Sequence, residues 1–399
     1  MSGAAKGMAP LIVAVRPPGA FPGSTLLNNG LFAAAQYEHL GDSSHWLRPL
    51  AALRQQAALQ GIELNTEDLV DLGSAAALIV MDLPADMEEL VALRRDYPNL
   101  KLILEMVESV VGRLWSLDPA NHRLFDAVVS YDDCHRGLAR YFVHRLPAAG
   151  VDGWDGPTRD ERWEDRRLVS MVAICKPPAP RVPRRTGIGL MRRGWRMSMS
   201  DWWNYLSENN SLYGARQEVA DTLARVVKDD FDLYGSGWGE RGPLAAKSCF
   251  RGAQSASKLD FLGHYRFNIA FENCRNRSGY VSEKIFDALL AGTVPVYLGN
   301  EDILKFVPGA AFIDARDFAC YTELAKFLKS MPKAQWMTMR DEGARFLRGD
   351  AVATFGQQQF IDAVLAAIQE SCGYATGAGS VQRAIIDTDS NSTQSRSSR

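Results

Sequence analysis

Glu283 and Lys284 stand side by side at the head of a short helical pattern, "SEKIFDALLAG" (residues 282–292). Ile285, Phe286, Leu289 and Leu290 fall at helical spacing and mark a core-facing side. Ser282 is placed as an N-cap and Gly292 as a C-terminal stop. A lysine in the first turn is unfavourable, because a helix N-terminus already carries a positive partial charge. It becomes favourable when an anion such as a phosphate lies between the lysine and the free N–H groups of the helix end. Glu283 would then be free to accept hydrogen bonds from ribose hydroxyls. On spacing alone the alternative stays open that the two are solvated surface charges.

The elements around this pair are those of an α/β protein. Before residue 150, the apolar runs "LIVAV", "AALIVMDLP", "LKLILEMVES" and "LFDAVVSYDD" read as strands. They alternate with helical patterns in "SSHWLRPLAALRQQAALQG" and "DMEELVALRRDYP". Buried strands separated by helices predict a parallel sheet. Residues 151–165 are polar and turn-rich and read as a linker. A second series follows, with strands in "RRLVSMVAI", "FDLYGSG", "YRFNIAFEN", "TVPVYLG" and "FIDARDF". Its helices are expected in "ARQEVADTLARVVKD", "SEKIFDALLAG", "CYTELAKFLKSM" and "QQQFIDAVLAAIQESC". The expected organisation is therefore a first α/β domain over 1–150 and a second over 166–372. A basic insert at 176–200 interrupts the second, and a Gly- and Ser-rich tail at 373–399 reads as disordered. Two such domains place a ligand between them, off the carboxyl ends of the strands.

Bulk properties narrow the classes. The 399 residues carry a formal net charge of −2 and are 46% hydrophobic, so no global basic field argues for nucleic acid. Six scattered cysteines form no C-x-x-C pair, which argues against a zinc framework and fits a reducing compartment. The N-terminal apolar run, Leu11 to Val15, is too short for a signal peptide or membrane span. The expected location is cytoplasmic, or peripheral to the cytoplasmic face of a membrane, with the arginine-rich insert as a candidate contact for anionic headgroups. "DDFD" (Asp229 to Asp232) contains a D-x-D pattern but precedes a strand, so it reads as a helix-to-strand turn. No essential metal is expected, a divalent cation being at most stimulatory. His135, His144 and His264 lie in no nucleophile pattern and read as structural, as does Cys274 at a strand end.

"YRFNIAFENC" followed by "GYVSEKIFDALLAGTVPVYLGNEDILKFVPGAAFIDARDF" spans residues 265–318. This stretch resembles the signature region of the α1,3/α1,4-fucosyltransferases, glycosyltransferase family 10, through Phe271, Glu272, Asn273, Tyr280, Glu283, Lys284, Gly292 and Pro295. The resemblance implies a GT-B fold, two Rossmann-like domains facing across a cleft, with GDP-fucose as donor and an oligosaccharide as acceptor. By the same resemblance, Glu283 binds the donor ribose, Lys284 its phosphates, and Asn273 and Tyr280 complete the donor site. "YGARQEVADTLARVVKDDFDLYGSG" matches an upstream helix and strand of the family in order, which makes Arg216 the pyrophosphate arginine. "LILEMVESVVG" offers two candidates for the general base, Glu108 and, as runner-up, Glu105. The implied reaction is a single inverting displacement at the fucose anomeric carbon, giving an α1,3 or α1,4 linkage on an N-acetylglucosamine-type sugar of a glycan such as a lipopolysaccharide. Two alternatives stand beside it: the same fold with another nucleotide-sugar donor, or a non-catalytic nucleotide- or glycan-binding relative. The sequence departs from the family pattern at Ser282, where a threonine is usual, and at Cys274, where a serine is.

Overall fold

In the computed structural model, the residues described are 9–18, 24–33, 47–84, 86–109, 116, 119–157, 161–177, 211–252, 257–276 and 279–374. Most of the basic insert and nearly all of the tail lie outside them.

The first domain is a six-stranded sheet. It comprises β1 (Leu11–Arg16), helix α1 (Arg48–Leu59), β2 (Ile62–Thr66), β3 (Ala77–Met81), α2 (Glu88–Asp96), β4 (Lys101–Glu105), β5 (Ala127–Ser130) and β6 (Tyr141–Val143). The strand order is β2-β1-β3-β4-β5-β6, and every pairing is parallel. β3 is buried at all five positions, as a strand covered on both faces must be. β2 was not legible as a strand: its inward residues Ile62, Leu64 and Thr66 alternate with Glu63 and Asn65 at the sheet edge, so no continuous apolar run marks it.

The second domain begins with β7 (Arg167–Val172), followed by α3 (Tyr213–Val226), β8 (Phe231–Tyr234), β9 (Tyr265–Asn276), α4 (Glu283–Leu290), β10 (Val294–Asn300) and β11 (Ile313–Asp314). Its parallel sheet has the order β11-β10-β9-β7-β8. Three helices close the chain, α5 (Tyr321–Ser330), α6 (Lys333–Leu347) and α7 (Gln357–Cys372). α6 escapes a periodicity reading because its buried side is spaced irregularly, at Trp336, Gly343, Phe346 and Leu347. Gly343 lets it approach α4 closely, since a Cβ there would lie 2.8 Å from Leu289 Cδ2.

One boundary differs from expectation. α7, read as part of the second domain, packs against the first: Phe360, Ile361, Val364, Leu365 and Ile368 join the same core as Val13, Leu50, Ile79, Ile103 and Val129. The reason is physical. α7 is apolar on one side, and the face of the β4–β5–β6 sheet needs a cover. The linker is anchored at its start. Val151 is buried with α4 residues in one cluster, Trp154 Nε1 donates to Leu290 O at 3.2 Å, and Ala148 N donates to Phe355 O at 2.9 Å. The chain therefore crosses between the domains twice, once at the linker and once before α7.

Ile361→Ala is expected to cost about 2–5 kcal/mol in urea unfolding. Hydrogen exchange should accelerate first in β4 and β5. Acceleration confined to β9 and β10 would return α7 to the second domain.

Candidate functional site

A cleft of about 370 Å³ opens between the carboxyl ends of the two sheets. From the first domain it is lined by Asp82, Glu105, Glu108 and His144, among others, and from the second by Asn273, Tyr280, Ser282, Glu283 and Lys284. Six of the seven residues singled out from the sequence thus line one cleft. The seventh, Arg216, stands one layer behind.

The second-domain wall is organised by a carboxylate. Glu272, on β9, is fully buried and accepts hydrogen bonds from Ser282 N at 2.8 Å and Ser282 Oγ at 2.6 Å. Ser282 does occupy the N-cap position of α4, with extended backbone, but its hydroxyl is spent on Glu272 and makes no bond to a helix N–H. Lys284 Nζ lies 3.0 Å from Ser282 Oγ, 3.1 Å from Glu283 Oε1 and 3.6 Å from Glu272 Oε2. The first-turn lysine is thus tolerated because two carboxylates surround it. Burial works against both charges of the adjacent pair, yet Lys284 and Lys258 hold the Glu283 carboxyl below its ordinary range, and Glu283 and Glu272 hold Lys284 above its own. Gly292 ends the helix in the left-handed conformation, φ +65°, as its sequence position predicts.

Arg216, on α3, is buried and donates to Phe271 O at 3.1 and 2.6 Å and to Asn273 Oδ1 at 3.0 Å. Burial lowers its pKa, opposed chiefly by Glu272, but a guanidinium stays charged. Arg216 fixes which way the Asn273 amide points. Asn273 Nδ2 then reaches Glu108 Oε1 at 3.4 Å, a contact between the domains.

The first-domain wall depends on Asp82. This residue follows β3 with φ +61°, a left-handed conformation that aspartate tolerates better than most side chains. Its carboxylate accepts from Val107 N at 2.8 Å and Glu108 N at 3.0 Å, so the loop after β4 is held against it. Tyr131 adds a bond from its hydroxyl to Glu108 O at 3.0 Å. Glu108 Oε1 also accepts from Ser109 N and Ser109 Oγ, at 2.8 and 3.0 Å. Neither Asp82 nor Tyr131 was singled out in the sequence, because each acts through backbone atoms that no motif spacing reports.

Glu105 and Glu108 occupy different environments. Glu105 ends β4 and is buried, and desolvation, reinforced by the Asp82 carboxylate, pushes its pKa up to about 8. It therefore holds its proton at neutral pH. Glu108 is half-buried and within reach of the opposite domain.

Tyr280, which lines the cleft, packs edge to face with Tyr131, ring centres 5.3 Å apart. Beside them Gly279 adopts φ +85°. A Cβ there would stand 2.8 Å from Tyr131 O and 2.4 Å from an Arg145 nitrogen, so the close approach of the domains requires glycine.

Asp232, part of the D-x-D pattern, is buried in ion pairs with Arg167 and Arg251 and accepts from Tyr265 Oη at 2.8 Å, away from the cleft. Among the described residues, Asp132, Cys134 and His135 are the group whose ligand atoms all come within 4.8 Å. There the Asp132 carboxylate is used by Cys134 N, and burial together with Asp132 pushes the Cys134 thiol up to about 12, so it is not a thiolate. Lys176, at the start of the basic insert, lies over the Tyr213 ring; the six arginines of that insert fall outside the described residues. No described helix is long and apolar enough to cross a membrane.

Two parallel α/β domains facing across a cleft define an architecture of the GT-B type. One solved alpha1,3-fucosyltransferase structure aligns over 92% of both chains with a TM-score of 0.50 at 16% identity, a likeness of fold. Residues 198–340, about a third of the chain, match the C-terminal model of glycosyltransferase family 10 (fucosyltransferase). Over 130 residues, 32% of this chain and 30% of the relative, it is 44% identical to mouse alpha-(1,3)-fucosyltransferase 7. Over 73 residues, 18% of this chain and 15% of the relative, it is 37% identical to an alpha-(1,3)-fucosyltransferase of Helicobacter pylori. An alpha-(1,4)-fucosyltransferase of Arabidopsis thaliana is 41% identical over 70 residues, 18% of this chain and 17% of the relative. These matches span less than a third of the relatives' own lengths.

The Glu105 environment makes a pH prediction. Below pH 4.5 the carboxyl is protonated whether folded or unfolded and contributes no pH dependence. Between pH 4.5 and about 8 the unfolded chain releases the proton and the folded protein retains it, so stability falls as pH rises and levels off above about 8. Glu105→Gln should remove that slope in urea midpoints measured across the window. Parallel curves for the two proteins would mean that folded Glu105 is ionised.

Proposed function

We propose that the protein transfers L-fucose from GDP-fucose to a hydroxyl of an N-acetylglucosamine-type sugar in a glycan, with inversion, forming an α1,3 or α1,4 linkage. The observation that carries this reading is the convergence of Glu108 with Asn273, Glu283 and Lys284 in one cleft between the first domain and the segment that matches the family 10 model. The donor nucleotide lies against the second domain. Glu283 accepts hydrogen bonds from the ribose, and Lys284 with the N–H groups at the head of α4 receives the diphosphate. Arg216 adds a fixed positive charge behind Asn273 and orients that amide.

Glu108 serves as general base. Glu105 is the weaker candidate, since burial keeps its carboxyl protonated at neutral pH. Glu108 takes the proton of the acceptor hydroxyl as its oxygen attacks the fucose anomeric carbon. The bond from that carbon to the phosphate oxygen breaks on the opposite face, and the pair of electrons leaves with GDP. Negative charge therefore grows on the diphosphate in the transition state, next to Lys284, Arg216 and the helix end.

The decisive measurement is linkage analysis of products formed from GDP-fucose and a panel of lactosamine-type acceptors. Turnover with another nucleotide sugar alone would replace the donor. Tight GDP binding without any turnover would favour a binding protein. Glu108→Gln should lower kcat by about 10²–10⁴-fold and leave GDP affinity in place. If Glu105→Gln shows that loss instead, the base is Glu105. In calorimetry, Lys284→Ala should weaken GDP binding by roughly tenfold or more, as removal of a charge-assisted contact does, and Arg216→Ala should weaken it less, through loss of the hold on Asn273 and of a nearby charge; unchanged affinity in both would remove the diphosphate from this wall.

A further inference from the structure

His144 follows β6 and lines the cleft beside Glu105, Glu108, Leu50 and Phe360. It is 3% exposed. Its Nδ1 lies 2.5 Å from Arg145 O. A carbonyl oxygen only accepts, so Nδ1 carries the proton, and the neutral ring presents Nε2 as a bare acceptor. Nε2 is enclosed and has no hydrogen-bond partner among the described residues. The ring is held edge-on to Phe360, with centres 5.3 Å apart. Burial, aided by the Arg145 charge and opposed by the bond to Arg145 O, drops the pKa to about 4, so the ring is neutral at working pH.

A buried acceptor left without a donor is costly, and proteins seldom keep one without a use. This one belongs to a residue on the wall of the cleft. Around it, Pro49, Leu50, Met81 and Phe360 offer apolar surface of the kind that packs against the C–H faces of a sugar ring. A sugar brings both complementary features, a C–H face and a ring of O–H donors. Tautomer, burial and surroundings together select an incoming hydroxyl over an anion, which would need donors.

We propose that His144 Nε2 accepts a hydrogen bond from a saccharide hydroxyl bound in the cleft, which makes His144 a recognition residue for the sugar. This rests on the sugar-transfer reading above. The hydroxyl belongs either to the hexose of the donor or to the acceptor saccharide.

The test uses the full chain labelled with ¹⁵N-histidine, the His144 signals being assigned from their absence in His144→Gln. GDP, GDP-fucose and a lactosamine acceptor are titrated separately, with calorimetry in parallel to establish binding. The Nε2 resonance should move upfield, as for an imidazole nitrogen that gains a hydrogen bond, with GDP-fucose but not GDP if the donor hexose is the source. If the acceptor is the source, it should move with the acceptor. A stationary resonance with both sugars bound overturns the proposal, as does a shift already complete with GDP. Absence of all binding in calorimetry defeats the transfer reading itself and this proposal with it.

Kinetics give an independent arm. His144→Asn keeps a donor where Nδ1 meets Arg145 O but lacks the outer acceptor, and KM for the responsible sugar should rise about 3- to 10-fold with a smaller change in kcat. His144→Gln returns an acceptor near the Nε2 position and should recover part of the loss. Equal KM in wild type and His144→Asn would overturn the assignment.

Discussion

The second-domain wall of the site rests on one buried carboxylate. Glu272, inside β9, is fully enclosed, and such a charge persists only where hydrogen bonds and an opposite charge compensate its lost hydration. Ser282 supplies two hydrogen bonds and Lys284 the charge. That requirement draws the head of α4 onto the end of the strand ten residues upstream. It sets where the helix begins, where its free N–H groups lie, and where Glu283 and Lys284 stand. The apolar face of Ile285, Phe286, Leu289 and Leu290 then locks the helix into its core. Removal of either half would leave the other without a defined position.

The first domain solves the corresponding problem with another carboxylate. Asp82 turns left-handed after β3 and gathers two consecutive backbone N–H groups of the β4 loop. Its negative charge also helps keep Glu105 protonated. One side chain therefore orients the outer glutamate and suppresses ionisation of the inner one. Two glutamates three residues apart in sequence acquire different chemistry from their surroundings alone.

The two walls face each other because the chain ties the domains together at several points. α7 returns to cover the first sheet, the linker packs on α4, and Gly279 permits the close approach of the domains. The Tyr131–Tyr280 edge contact and the Asn273–Glu108 hydrogen bond lie at that junction. The site is a property of the junction, and neither domain holds it separately.

Much of this was written in the linear sequence. Strands such as β3 and β10 are buried on both faces and leave continuous apolar runs. α4 carries its periodicity and its terminal Gly292, and Lys284 stands out by violating the preference of a helix N-terminus. These are local signals, because period, caps and dipole act within a few residues. β2 and α6 were not legible, since an edge strand with polar alternation and a helix packed through a central glycine carry weak local patterns. Only the tertiary structure decided that α7 belongs to the first domain, that the Ser282 hydroxyl serves Glu272, and that Glu105 is buried and neutral beside a half-buried Glu108. It also singled out His144, whose spacing says nothing and whose enclosed acceptor nitrogen says much. The reason is common to all four: desolvation and hydrogen-bond satisfaction depend on what lies within a few ångströms, and those neighbours come from distant parts of the chain.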